Sequence, residues 1–222
     1  MNTQTVFVVD DAREVRISVS RLLNAIGYTV SSFESAEQFL CEQDPDAPGC
    51  VLLDLVMPGM SGLDAQRALE ESGNRRPIIF LSGQGDIHAS VHAMKAGAVD
   101  FLTKPIEDTR LVAAVDQALR IDEAKRRASA IRGMIEQRLQ LLTVRERQVM
   151  TEVVCGRLNK QIAATLCVGE KTVKVHRAHV MSKMGARSVA ELVTLAARVD
   201  VAMEPRLVRR VGVAQTGLNV QL

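Results

Sequence analysis

Residues 5–11 read TVFVVDD, four consecutive apolar residues that run directly into two carboxylates. A strand with one wet face alternates polar and apolar side chains, whereas an unbroken apolar run suits a strand covered on both faces, as in a parallel sheet. The pattern recurs as CVLL at 50–53 before Asp54 and IIFL at 78–81 before Ser82. Two further β-rich runs lie at 29–33 and 99–102. Between the runs lie amphipathic segments at 14–25, 36–41, 63–71, 87–95 and 109–119. Asp11 with Glu14, Ser35 with Gln38, and Asp108 before Thr109 read as helix N-caps. Gly27, Gly73 and Gly97 stand where helices should stop. The alternation predicts an α/β doubly wound (βα)5 domain of flavodoxin-like type over residues 1–121, with its site at the carboxyl ends of the strands.

That rim gathers a particular chemistry. Asp10 and Asp11 end the first strand, Asp54 the third and Ser82 the fourth, and Lys104 follows the fifth. Three clustered carboxylates repel one another unless a cation neutralises them, and an oxygen-only donor set suits Mg²⁺. No GxxxxGK[ST] loop is present, so nucleotide binding is not implied.

Further along, helical periodicity continues from Thr109 to Leu142 with no Pro and one Gly, Gly133. Apolar residues recur at Leu111, Val115 and Ala118, then at Ala128, Ile131, Ile135, Leu139 and Leu142, on either side of the charged block DEAKRR at 122–127. Residues 122–142 read as a helical linker, whose second stretch either pairs as a coiled coil or packs on its own domain. The remainder is helical by pattern, at 144–155, 160–166, 170–184 and 189–199. Its starts are Thr143 with Glu146, Asn159, and Ser188 with Glu191, and residues 167–169 form a turn. An all-α four-helix domain is expected over 143–203, followed by a disordered tail at 204–222 that carries Arg206, Arg209 and Arg210.

Charge divides the chain in the same place. The net charge of +2 hides 10 Lys and Arg against 17 Asp and Glu in residues 1–121, net −7, and 18 against 9 in residues 122–222, net +9. A polyanionic partner is expected for the second half only. Aromatics are 3% of residues, with no Trp, which argues against aromatic platforms for sugars or bases. No apolar run approaches a membrane span, and the N-terminal segment lacks the basic start of a secretory signal, so a cytoplasmic protein with no membrane partner is expected. Cys41, Cys50, Cys155 and Cys167 share no CxxC spacing and no His at ligand spacing. They read as reduced, buried thiols, with no zinc site expected.

With VVDD at 8–11, LDLVMPGMSG at 53–62, LSGQGD at 81–86 and AVDFLTKP at 98–105, the first half resembles the receiver domain of bacterial two-component response regulators. The resemblance implies that Asp54 accepts a phosphoryl group from a histidine kinase. It implies that Asp11, Asp54 and the Val56 carbonyl hold Mg²⁺, with Asp10 helping through water. Lys104 would pair with the phosphoryl oxygens and Ser82 would hydrogen-bond one of them. Ser82 and Phe101 would form the switch, and the Lys104–Pro105 bond would be cis. Relatives often carry Thr and Tyr at the two switch positions. A phenyl ring has no hydroxyl to bond when exposed, which favours its inward state.

The second half, with NKQIA at 159–163 and EKTVKVHRAHVMSKMG at 170–185, resembles the LuxR-type helix-turn-helix. Its second helix would enter the major groove and present Lys171, Thr172, Lys174, Val175, His176, Arg177, Ala178 and Lys183. Lys174, Val175 and Ala178 would face bases, and Thr172, His176 and Lys183 phosphates. Some relatives have Lys in place of Ala178, and Arg177 would compensate. Val173, Val180, Met181 and Met184 repeat as core, and His179 reads as structural or solvated, not as a metal ligand.

Together these resemblances imply a FixJ/NarL-type DNA-binding transcription regulator and no enzyme. Its partners would be a sensor kinase, promoter DNA and RNA polymerase. Phosphorylation would drive a homodimer through the fourth-helix and fifth-strand face, with the linker helix as a second contact. The competing reading is a phosphorylation-independent regulator whose receiver serves only as a dimer module. A Mg²⁺-dependent phosphatase is a further alternative, for which no cap domain is evident.

Overall fold

The computed structural model describes residues 4–83 and 87–199. Within it the chain forms two compact units that divide between Arg127 and Ala128.

The first unit alternates β1 (Thr5–Val9), α1 (Arg13–Ile26), β2 (Thr29–Phe33), α2 (Ala36–Glu42), β3 (Gly49–Asp54), α3 (Gly62–Glu71), β4 (Ile78–Ser82), α4 (Ile87–Lys95), β5 (Asp100–Thr103) and α5 (Asp108–Gln140). The five strands are parallel in the order β2-β1-β3-β4-β5. The sequence expectation of a doubly wound (βα)5 sheet is met.

The unbroken apolar runs are explained by what lies on each face. Phe7, Val9, Val51, Leu53, Ile78 and Phe80 point to one side, under α2, α3 and α4. Val6, Val8, Cys50, Leu52, Ile79 and Leu81 point to the other, under α1 and the first turns of α5. Period-two geometry sends neighbours to opposite faces, so two covered faces require every position to be apolar. Phe80 is fully buried, and truncating such a ring costs about 3–5 kcal/mol.

Register brings the strand ends level: Leu53 pairs with Val9, Asp54 with Leu81 and Ser82 with Thr103. The segment after β3 is held by close approach. A Cβ on Gly62 would lie 2.3 Å from the Asp54 carbonyl oxygen, so only glycine fits there. Glu37 accepts from the Met60 N–H at 2.7 Å and braces the same loop from α2.

At the opposite end of the sheet, the buried Asp122 carboxylate accepts from the Gly49 N–H at 2.9 Å and from Arg126 Nε at 2.8 Å. Arg126 also donates to the carbonyls of Asp46 and Ala47, both at 2.7 Å. The charged block expected in the linker is thus fastened to the receiver-like unit, which extends through Arg127.

The second unit contains the end of α5, α6 (Val144–Val154), α7 (Asn159–Leu166), α8 (Glu170–Met184) and α9 (Val189–Ala197). Ile135, Leu142, Val149, Met150, Val153, Ile162, Val173, Val180, Met184, Leu192 and Ala196 make its core, with Ile131, Leu139 and Met181 packed against it. The linker's second stretch packs on its own domain through Ile135 and Leu142, with Ile131 and Leu139 partly buried beside them and Ala128 exposed.

Several local expectations are corrected. Asp11 does not cap α1. Ala12 holds the N-cap position, and its methyl side chain has no acceptor to offer the first turn; its own N–H donates to Asp10 Oδ1 at 2.9 Å. Asp108 is the first residue of α5, not its preceding cap. Asn159 likewise lies inside α7, with Leu158 before it, and its Oδ1 accepts from Arg177 at 3.0 Å instead. Ser35 and Ser188 cap as expected, and Thr143 with Glu146 closes a full capping box. Cys50 is buried, which pushes its thiol up to about 12. Cys41, Cys155 and Cys167 are exposed, because each lies near a helix end and not on an apolar face. Cys167 adopts the left-handed conformation (φ 53°) that turns α7 into α8. Gln84, Gly85 and Asp86 of the LSGQGD motif, and the tail at 204–222, lie outside the described residues.

Candidate functional site

At the carboxyl rim, Asp10 is fully buried, Asp54 is 5% exposed and Asp11 is exposed. One oxygen from each lies within 4.8 Å of the others. Lys104 sits among them, its Nζ 2.6 Å from Asp10 Oδ2 and 3.0 Å from Asp54 Oδ1. Its backbone N–H donates to the Ser82 carbonyl at 2.7 Å, which ties the loop after β5 to the end of β4. The Lys104–Pro105 bond is cis.

Three carboxylates against one ammonium leave the cluster two charges short of neutrality. Burial raises the Asp54 pKa, Lys104 opposes the rise, and the Asp10 and Asp11 charges add to it. For Lys104, burial alone would favour the neutral amine, but the hydrogen bonds to Asp10 and Asp54 outweigh it and hold the ammonium form. The donors are all oxygen, partly buried and under-neutralised, a combination that fits Mg²⁺. Val56, two residues past Asp54 in the chain, is exposed. Ser82 is buried at the end of β4. Phe101 is half-buried on β5, its ring centroid 6.5 Å from that of Phe80.

In the second unit, α8 separates into two faces. Val173, Val180 and Met184 enter the core, as their spacing predicts. Lys171, Thr172, Lys174, Val175 and Ala178 are exposed, with Val175 49% open to solvent despite its apolar side chain. Two of the other expected contact residues are engaged within the domain. Arg177 Nη1 donates to Asn159, and Lys183 Nζ lies 2.6 Å from Glu146 Oε2. His176 is half-buried.

Comparison with known proteins agrees with both geometries. Residues 6–116 match the response regulator receiver domain, and residues 140–196 match the bacterial regulatory proteins of the luxR family. The chain belongs to the response-regulator family. It is 42% identical to the response regulator protein TodT of Pseudomonas putida over 90% of this chain and 88% of TodT. It is also 42% identical to the transcriptional regulatory protein FixJ of Rhizobium meliloti over 88% of this chain and 96% of FixJ. Among solved structures, the response regulator StyR superposes with a TM-score of 0.81 at 43% identity, covering 88% of this chain and 99% of that one. Full-length FixJ from B. japonicum gives 0.55 at 38% identity, covering 90% and 98%. This response regulator therefore joins a receiver domain to a LuxR-type DNA-binding domain, as transcriptional regulators of two-component systems do. Among its described residues, no helix is long and apolar enough to cross a membrane.

Two contributors to the regulator's sites escaped the sequence reading. Arg16 Nη1 donates to the carbonyls of Asp10 and Asp11 at 2.7 and 2.9 Å, and so fixes the backbone from which both carboxylates project. Its place one turn into α1 was the available signal. Glu146 was read only as a cap, yet its 4% exposed carboxylate is also the hub for Lys183 and His179.

Proposed function

We propose that Asp54 accepts a phosphoryl group from a sensor histidine kinase and that this modification controls promoter binding by the helical domain. The observation that carries the reading is an under-neutralised pocket: a buried acceptor carboxylate at a strand end, an ammonium 3.0 Å away and two more carboxylates within reach of one cation.

An Asp54 oxygen attacks the phosphorus of the kinase phosphohistidine. The P–N bond breaks, its electron pair returns to the imidazole, and the ring is then reprotonated. Asp11, Asp54 and the Val56 carbonyl would hold Mg²⁺, with Asp10 acting through water. The ion, when bound, offsets charge on the phosphoryl oxygens. Lys104 turns from the carboxylates to the phosphoryl group, and the Ser82 hydroxyl donates to another of its oxygens. Positioning and charge compensation supply the catalysis such a transfer needs. The movement of Ser82 leaves room for Phe101 to swing further toward Phe80, which changes the α4–β5 face. Val91 and Met94 of α4 are already 47% and 46% exposed, an apolar pair suited to covering by a second copy. Paired domains then place α8 in two successive major grooves. Lys174, Val175 and Ala178 read bases. Lys171 and Thr172, with His176, Arg177 and Lys183 at the margin, meet the backbone. The partners are promoter DNA and RNA polymerase in the cytoplasm, and the only phosphoryl chemistry is the regulator's own.

Incubation with a small phosphodonor and Mg²⁺, followed by intact-mass analysis and DNase footprinting, tests the reading. One phosphoryl group on the wild type, none on Asp54→Asn, and a footprint that strengthens with phosphorylation support it. Labelling of Asp54→Asn, or a footprint indifferent to phosphodonor, overturns it.

A further inference from the structure

A second cluster of ligand-type side chains lies in the DNA-binding domain, away from the acidic rim and independent of how Asp54 works. We infer that Glu146, His176 and His179 form a binding site for a late first-row divalent cation of the Zn²⁺ class, joining α6 to α8.

The spacing is suited to it. His176 and His179 stand three residues apart on α8, so both imidazoles reach one side of the helix. Glu146, in the first turn of α6, meets that side: its Oε1 is 3.3 Å from His179 Nδ1. One ligand atom from each of the three residues lies within 4.8 Å of the others. A tetrahedral ion with bonds of about 2.0–2.2 Å wants ligand atoms about 3.3–3.5 Å apart. The Glu146–His179 edge already has that length. The remaining closure lies between His176 and that pair, and the 58% exposed His179 side chain has room to follow it.

The carboxylate has one oxygen to spare. Oε2 is occupied by the Thr143 N–H at 2.8 Å and the Lys183 ammonium at 2.6 Å. Oε1 faces the histidines. His176 Nδ1 is an independent pointer, being fully shielded from solvent with no hydrogen-bond partner among the described residues. A buried ring nitrogen without a partner loses its hydration for nothing in return, and a metal ion supplies the missing bond. Two nitrogens and one oxygen disfavour Mg²⁺ and Ca²⁺ and favour Zn²⁺, Co²⁺ or Ni²⁺, and the open side leaves positions for water. The sequence alone reads His179 as structural or solvated, and places no His at ligand spacing from a cysteine. The third ligand is instead a carboxylate on another helix, which cysteine spacing cannot reveal.

Titration of the full, tag-free chain with Co²⁺, in excess Mg²⁺ to fill the acidic pocket, tests the site. The expected result is one equivalent bound with visible d–d absorption, no thiolate charge-transfer band, and displacement by Zn²⁺. His179→Asn should weaken binding by at least about ten-fold, in the range seen when metal sites lose a supporting group. Because residue 179 is exposed, its metal-free unfolding curve should match the wild type. His176→Gln should weaken binding similarly. Lys183→Gln, which removes a competing positive charge, should tighten it. Undiminished binding in His179→Asn would locate the ion elsewhere, on His88 and His92 of α4 or on an exposed cysteine, and would overturn the assignment. So would a thiolate band, or no Co²⁺ binding at all.

Discussion

Asp54 and Glu146 are each a nearly buried carboxylate with a lysine ammonium within 3.0 Å, yet their protons respond in opposite directions. The Asp54 pKa rises through burial, with Asp10 and Asp11 adding to the effect. That of Glu146 falls to about 2, chiefly through the Lys183 hydrogen bond and then the Thr143 N–H. The difference lies in what surrounds the pair. Lys104 is divided between two acids with a third beside them, so the receiver pocket stays short of positive charge. Lys183 serves one acid whose other donor is a helix N-terminus. The first arrangement keeps the charge deficit that the proposed cation and phosphoryl chemistry would use. The second ties α6 to α8 through Oε2 and leaves Oε1 facing His179.

The sharpest way to break the comparison is at the acceptor itself. Asp54→Asn should abolish phosphodonor labelling entirely, measured by intact mass, while the helical domain still unfolds as in the wild type. Next in size is Lys104→Met. It strands Asp10 and Asp54 without a cation, and removing one partner of a buried pair costs about 3 kcal/mol or more. The expected result is a receiver that unfolds early in denaturant and is rescued by Mg²⁺. On the other side, acid should act on Glu146. Its folded pKa lies below the ordinary 4.5, so its stabilisation is fully present above about 4.5 and is lost as pH falls toward about 2. Unfolding of the α6–α9 domain followed across that window should steepen in the wild type and flatten in Glu146→Gln. A smaller effect is expected from Mg²⁺ on the wild-type receiver. At ten times its Kd a cation stabilises by about 1.4 kcal/mol, and calorimetry should place that gain in the receiver transition alone. The smallest stability change belongs to Lys174→Ala. Its pair with Glu170 is 3.8 Å long and exposed, worth about 0.3 kcal/mol. DNA affinity should nevertheless drop measurably.

How legible each half was in the sequence follows from the same physics. Strand runs such as VFVV and IIFL announce their burial because two covered faces leave no polar position, and the rim residues follow automatically from strand ends. Helix α8 was equally clear from Val173, Val180 and Met184. Side chains that bridge distant segments were not. Arg16 reaches two carbonyls, Arg177 reaches Asn159, and Glu146 gathers partners 33 and 37 residues away; no period encodes such contacts. Caps were half legible for a related reason. Ser35, Thr143 and Ser188 stand at the N-cap and cap, whereas α1 starts two residues past Asp11 and leaves the N-cap to Ala12, whose side chain cannot accept.

The bond from the Gly49 N–H to Asp122 separates chemistry from anchorage along a single strand. Asp54 closes one end of β3 and Gly49 opens the other. Five residue steps of about 3.3 Å put some 17 Å of fully buried strand between them. On the proposed function, a phosphoryl group gained or lost at one terminus would therefore leave the moorings of α5 at the other untouched. Lesions at Asp122 or Arg126 should accordingly leave the rate of phosphoryl uptake intact and yet loosen the helix, a class of defect invisible to any assay that watches Asp54 alone.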